Sequence, residues 1–189
     1  MSTIDAMTTE LSTLMSELRE DHRNMASVLD LLERVIDDIR NENDDVLELL
    51  GEIMHYMTVY PDAVHHPKED LVYGQLQQHR PDLASGIENV AGDHSEIAAL
   101  GVQLRNDIDA IESGTAVRRE QLIDDAASYV ERLRRHMQWE EADLFPRIDR
   151  MLESTAHPLD LSEFRAMQDP VFGTSSQAGF RRLLESLKA

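Results

Sequence analysis

Apolar residues recur every three or four positions along most of this chain, and in three of the runs a histidine stands where the pattern assigns a core residue. The first run reads Leu11, Leu14, Leu18, His22, Met25, Leu29, Leu32, Ile36 and Ile39. The second reads Leu83, Ile87, Val90, His94, Ile97, Gly101, Leu104, Ile108 and Ile111, and the third Val130, Leu133, His136, Glu140, Leu144, Ile148 and Met151. A period near 3.6 held over such lengths specifies amphipathic helices, and no run alternates as a half-buried strand would. An imidazole in the buried stripe needs a partner, because a polar group taken out of water without one costs ~1–3 kcal/mol.

Punctuation divides the chain into four long helices. Asn41-Glu-Asn-Asp-Asp45 separates the first two, Arg80-Pro81-Asp82 opens the third with Pro81 in its first turn, and Ser113-Gly114-Thr115 closes the third, with Thr115 as N-cap of the fourth. His157-Pro158 ends the fourth. The predicted spans are about 10–40, 45–79, 82–112 and 116–153. Pro61 and Pro67 interrupt the second, so a kink, π-bulge or short break is predicted between about 58 and 67, beside His65. Long helices joined by short loops pack as antiparallel neighbours, so the expected fold is all-α: an up-down-up-down antiparallel four-helix bundle over residues 1–153. Residues 154–189 read as a short helical C-terminal extension packed on the bundle, with helices near 160–167 and 176–187 and Phe164, Phe172 and Phe180 against it.

The chain also repeats itself. Asp21-His22 is followed by His65-x-x-x-Glu69, and Asp93-His94 by His136-x-x-x-Glu140, the two units lying about 71 residues apart. Residues four apart share one helix face, so each His-x-x-x-Glu pair can aim at one centre, joined by His22 or His94 from the preceding helix. Four imidazoles and two carboxylates suit a mid-row metal, iron above all, and two carboxylates can bridge two ions. The cofactor expected is two Fe ions, oxo- or hydroxo-bridged, with coordination positions left open. For one histidine on an apolar face, ordinary core packing is the better reading; four in matched positions, two with a glutamate one turn on, weigh against it.

Other residues carry weaker signals. His66 neighbours His65 but points about 100° away on a regular helix, which suggests at most an outer role. Tyr73 lies on the face of Glu69 and either lines a pocket or fills the core. Asp70 and Glu141 are possible alternative ligands, and Glu20, Asp21 and Asp93 either orient imidazoles or are surface acids. Met137 and Trp139 read as core or pocket wall, and His55, His79 and His157 as structural or surface residues. A single Glu52-x-x-His55 argues against the ferritin-like class, which needs that motif from two helices.

Composition narrows the setting. The formal net charge of −19 disfavours nucleic acid and anionic lipid as partners. The absence of cysteine excludes thiolate sites and Cys nucleophiles. No apolar run approaches a membrane span, and the first residues lack the basic and apolar regions of a signal peptide, so a cytoplasmic location is expected.

Asp21-His22-Arg23, His65-His66-Pro67-Lys68-Glu69, Asp93-His94 and His136-Met-Gln-Trp-Glu140-Glu141 with Leu144-Phe145-Pro146 resemble the hemerythrin-like, or HHE cation-binding, family over about residues 10–152. The resemblance implies a four-helix bundle around a non-haem di-iron centre, with His22 and His65 on one iron, His94 and His136 on the other, and Glu69 and Glu140 bridging. The chain departs from the oxygen-carrying hemerythrins, which have a second histidine four residues after the third-helix ligand; here that position is Ala98. Those carriers also have an aspartate in the fourth helix, where this chain offers Glu140. The set looks more like the bacterial hemerythrin-like, iron-centre repair and iron-sensing proteins. The expected partner is a small diatomic ligand or peroxide, and O2 or NO binding for sensing, storage or stress protection is the leading function. An oxidoreductase acting on NO or peroxide and an iron-handling or iron-sensing module are the alternatives. No motif identifies an electron donor.

Overall fold

In the computed structural model the described residues are 3–153, 169–173 and 178–188. They form helices and turns only. Helix α1 spans Thr3–Arg40. The second rod is composite: a 3-10 turn at Asp44–Val46, α2 (Leu47–Tyr60), a π-helical turn at Pro61–His65, and α3 (His66–His79). The third is α4 (Val90–Glu112), and the fourth joins α5 (Arg119–Trp139) to α6 (Phe145–Glu153) through a second π turn, Glu140–Leu144. Helix α1 packs on α2 and α5, and α4 packs on the same two, so the four rods form a bundle.

The predicted distortion of the second rod is thus a π turn, in which the His66 N–H reaches the Pro61 carbonyl. The second π turn was not predicted, although the same signal is present. Pro67 and Pro146 each stand second in the helix that follows a π turn. Each lacks the N–H that an α-helix would direct back four residues, to Ala63 and Ala142, and a wider turn accommodates the gap.

Two predicted boundaries are corrected. The third long helix starts at Val90, not near 82. Pro81 belongs to a turn in which the Leu83 N–H meets the Arg80 carbonyl (2.9 Å) and Arg80 grips Asp82 through Nε and Nη2 (2.9 and 2.7 Å). Gly86 then takes φ +91°, a left-handed conformation no helix continues through, and a Cβ there would meet Trp139 Cζ2 at 2.8 Å. Thr115 is not an N-cap. Its N–H closes α4 on the Ala110 carbonyl (2.8 Å) while Gly114, at φ +82°, bonds Ile111 (2.9 Å), a Schellman ending. Helix α5 begins at Arg119, after the extended Arg118.

The apolar core is in two parts. One fills the bundle from Met25 to Ile39 of α1, along α2, and from Ile97 and Leu122 through Met137 of α4 and α5. The other holds Leu14, Met15, Leu18, Val72, Leu76, Ile87, Val90, Leu144, Phe145 and Ile148. On every rod the break between them falls at the same level: His22, His65 to Glu69, His94, and His136 to Glu140. The described part of the C-terminal extension packs on α2. Val171, Phe180 and Leu183 enter the larger core, Tyr56 donates to Asp169 (2.7 Å), and the Leu183 N–H reaches Glu52 (2.9 Å). The predicted helix near 176–187 is a 3-10 turn at Ala178–Phe180 followed by α7 (Arg181–Ser186), and Phe172, though 38% exposed, meets the Tyr56 ring edge-on at 6.2 Å. The predicted helix near 160–167, Phe164 and His157 lie outside the described residues.

Candidate metal centre

The polar layer between the two cores contains all six residues singled out by the repeat. Each comes from the stripe that the helix already turns inward, so burial follows from register; Glu69 and Glu140 are 0% exposed. Their side chains converge. Glu69 Oε1 lies 3.1 Å from His65 Nε2 and 3.5 Å from His22 Nε2, while its Oε2 lies 3.4 Å from His94 Nε2. Glu140 Oε2 lies 3.4 Å from both His22 Nε2 and His136 Nε2. His94 and His136 face each other through Nε2 at 3.1 Å. Each carboxylate therefore stands between the His22 side of the layer and the His94–His136 side.

The outer nitrogens are also arranged. His22 Nδ1 donates to Glu141 (3.0 Å) and His65 Nδ1 to Asp21 (3.2 Å). His94 Nδ1 faces Asp70 at 3.5 Å and His136 Nδ1 faces Asp93 at 3.7 Å, both ion-pair rather than hydrogen-bond approaches. Every acid that neighbours a candidate ligand in sequence thus faces an imidazole of a different rod. Asp70 and Glu141, read from the sequence as alternative ligands, lie on the outer edges of His94 and His22. A carboxylate on Nδ1 fixes the tautomer that leaves Nε2 free to bind a metal.

The model of the hemerythrin HHE cation-binding domain matches residues 13–158. The chain belongs to this family. No curated protein and no solved structure matches it. HHE domains bind metal cations, typically iron, and here the ligand-bearing atoms of His22, His65 and Glu69, and those of His66, Glu69, His94 and His136, each lie within 4.8 Å of one another. Glu69 belongs to both groups. Glu140 belongs to neither; the Tyr73 hydroxyl donates to its Oε1 (2.8 Å), and its Oε2 faces the imidazoles of His22 and His136.

The donor set of this HHE domain fits a cation. His22 Nε2, His66 Nε2, both oxygens of Glu69 and Glu140 Oε2 are buried without a hydrogen bond, and they turn toward one region. Two carboxylates in an apolar bundle are costly unless compensated. Without metal the compensation comes from protons. Burial opposes a charge on His22, but Glu140, Glu141 and Glu69 outweigh it and push its pKa up to about 11. Burial also opposes charging of His94, where Asp70 and Glu69 prevail and raise it to about 10. His65 is raised as well, burial being outweighed by Glu69 and Asp21. Burial lowers His136 and His66, which stay neutral. Glu69 is held well below the ordinary carboxylate range: burial acts upward, and His65, His22 and His94 overcome it.

Some participants were legible only in part. Tyr73, equally a core residue by sequence, bonds Glu140. Asp21 also accepts from Tyr60 (2.9 Å) and from buried Lys68 (3.3 Å), contacts between rods that no local sequence pattern signals. Phe145 stacks on His22 at 5.2 Å. His55 pairs with Arg105 (2.8 Å) and stacks on Phe180, a structural role as expected, and His79 is exposed. His66, assigned at most an outer position, is buried and stacks on His94 at 4.0 Å.

No helix among the described residues is long and apolar enough to cross a membrane.

Proposed function

We propose that this HHE domain is a non-haem di-iron protein that binds O2 or NO at a four-His, two-Glu centre, for sensing, storage or protection against oxidative and nitrosative stress. His22 and His65 would hold one iron and His94 and His136 the other, with Glu69 and Glu140 supplying the carboxylates shared between them. The observation that carries the reading is the convergence of imidazole Nε2 and carboxylate Oε atoms in one buried layer, with both Glu69 oxygens free of hydrogen bonds and one presented to each side. The ring of helix contacts supports an up-down-up-down arrangement of the rods.

Paired iron supplies open coordination positions and one-electron redox chemistry. The chain's own part is to exclude water through the two flanking cores, to fix the tautomers of His22 and His65 through Glu141 and Asp21, and to hold Glu140 through Tyr73. The reading takes the protein to be cytoplasmic, with a diatomic molecule or peroxide as its partner.

A second reading, an oxidoreductase acting on NO or peroxide, draws on the hydrogen bonds that tie Tyr73 to Glu140 and Tyr60 to Asp21, which place oxidisable side chains at the centre. The deciding experiment is metal analysis of protein reconstituted without oxygen, with optical spectra of the reduced form exposed to O2, NO and peroxide. About two irons per chain and a stable ligand band are expected. About one iron or less sinks the proposal, and catalytic consumption of NO or peroxide replaces binding with turnover.

A further inference from the structure

We propose that His66 is a fifth imidazole of the centre, binding through Nε2 the metal held by His94 and His136. The inference rests on the di-iron reading and adds a ligand that the repeat does not contain. Four observations carry it.

His66 is 5% exposed, and its Nε2 has no hydrogen-bond partner. A buried nitrogen left so costs ~1–3 kcal/mol, which coordination would recover. Its other nitrogen is already engaged: Nδ1 faces Asp62 at 3.3 Å. This is the two-sided arrangement found at His22, His65, His94 and His136, with a carboxylate behind and Nε2 in front. Its ring lies among those imidazoles, parallel to His94 at 4.0 Å and edge-on to His65 at 5.7 Å and His136 at 6.1 Å. It also brings a donor within 4.8 Å of those of Glu69, His94 and His136.

The π turn explains how two consecutive histidines can both face inward. On a regular α-helix His65 and His66 diverge by about 100°. Here His65 ends the π turn Pro61–His65 and His66 begins α3, so the change in winding falls between the stripe of α2 and that of α3.

The second copy of the repeat lacks this ligand. The residue after His136 is Met137, buried in the apolar core, and one turn beyond His94 stands Ala98. His66 therefore makes the two metal positions chemically unlike. The metal beside His94 and His136 takes three imidazoles, and the one beside His22 and His65 takes two and keeps more of its coordination sphere open.

The test is iron titration and Mössbauer spectroscopy of the full chain and of His66→Met, which installs the residue that the second copy carries. The wild type is expected to bind two irons giving two distinct doublets. His66→Met should weaken one iron by at least about tenfold, since losing even an outer partner of a ligand costs ~10–100-fold, and should alter one doublet while sparing the other. Two irons held as tightly as in the wild type, with both doublets unchanged, overturn the assignment. A wild type that takes up only one iron overturns the di-iron reading and this assignment with it. Should His66→Met fail to fold, His66→Ala titrated with and without free imidazole decides the matter: restoration of the weakened iron by imidazole is expected, and an undiminished second iron without imidazole overturns it.

Discussion

Asp21 is next to His22 in the chain, yet its carboxylate accepts from Nδ1 of His65 on the neighbouring rod, at 3.2 Å. It also accepts from Tyr60 at 2.9 Å and from Lys68 at 3.3 Å, so a single acid gathers three groups of the second rod onto α1. Burial pushes its pKa up, but His65 and Lys68 prevail and hold it below the usual value.

Asp21→Asn should therefore cost metal affinity without removing a ligand. An amide can present nitrogen or oxygen to His65, so the tautomer that frees Nε2 is no longer enforced. A loss of ~10–100-fold in iron affinity is expected. Asp93→Asn, whose carboxylate stands 3.7 Å from His136 Nδ1, should lose less. Competition with a chromophoric chelator measures both; equal losses would refute the ranking by distance.

Tyr73→Phe leaves Glu140 Oε1 buried without its donor. The metal-free protein should lose ~1–3 kcal/mol, read from urea denaturation. The optical bands of the loaded protein should shift as well, because Glu140 would be free to turn its second oxygen inward. An unchanged spectrum together with unchanged stability would remove Tyr73 from the site.

The buried charges give the metal-free protein a stability maximum near pH 6.5, the ordinary value for histidine. Folding raises His22 to about 11 and His94 to about 10. Their contribution is full below pH 6.5 and is lost as pH rises through those values. Folding lowers His66, His136 and Glu69. The two histidines contribute fully above pH 6.5 and lose that contribution as pH falls through their depressed values, and Glu69 follows at lower pH. Urea midpoints across pH test the shape; a monotonic rise to pH 10 would contradict it. Metal must displace the protons on His22 and His94, so uptake near neutrality should release acid, and affinity should climb with pH.

Leu183→Ala tests whether the C-terminal extension is integral to the bundle. Leu183 is 0% exposed and sits in the larger core with Phe180. Truncation should cost ~2–5 kcal/mol in global stability if the tail unfolds with the rest. A loss confined to early release of the tail, with the main transition unmoved, would make it an appendage.

The helical content and the inward register of the ligands were legible because period and polarity conflict at so few positions. His22, His94, His136 and Glu140 are the charged or titratable residues that break the apolar stripes, and the conflict itself marks them. The local winding was harder to read. Pro61 and Pro67 sit together and announce a distortion, whereas Pro146 stands alone and gives a weaker signal for its π turn. The inward ring of His66 is hidden for the same reason, since a fixed angular step fails where the turn widens. The start of α4 was misplaced because Pro81 suits a helix start and a turn alike, and Gly86, held by φ and by Trp139, decided for the turn. The cross-rod pairing of Asp21, Asp70, Asp93 and Glu141 depends on distances between helices, which no local pattern encodes.

That pairing has a further meaning. Asp21 to His65 joins the first and second rods, and Asp93 to His136 the third and fourth. Asp70 to His94 and Glu141 to His22 pass from each of these pairs of rods to the other, and they do so reciprocally. This is the signature of an isologous dimer interface, in which the same patch on each partner greets its counterpart. The bundle carries the contact pattern of two like halves joined in one polypeptide, and His66, opposite Met137 in the repeat, is where one half departs from the other.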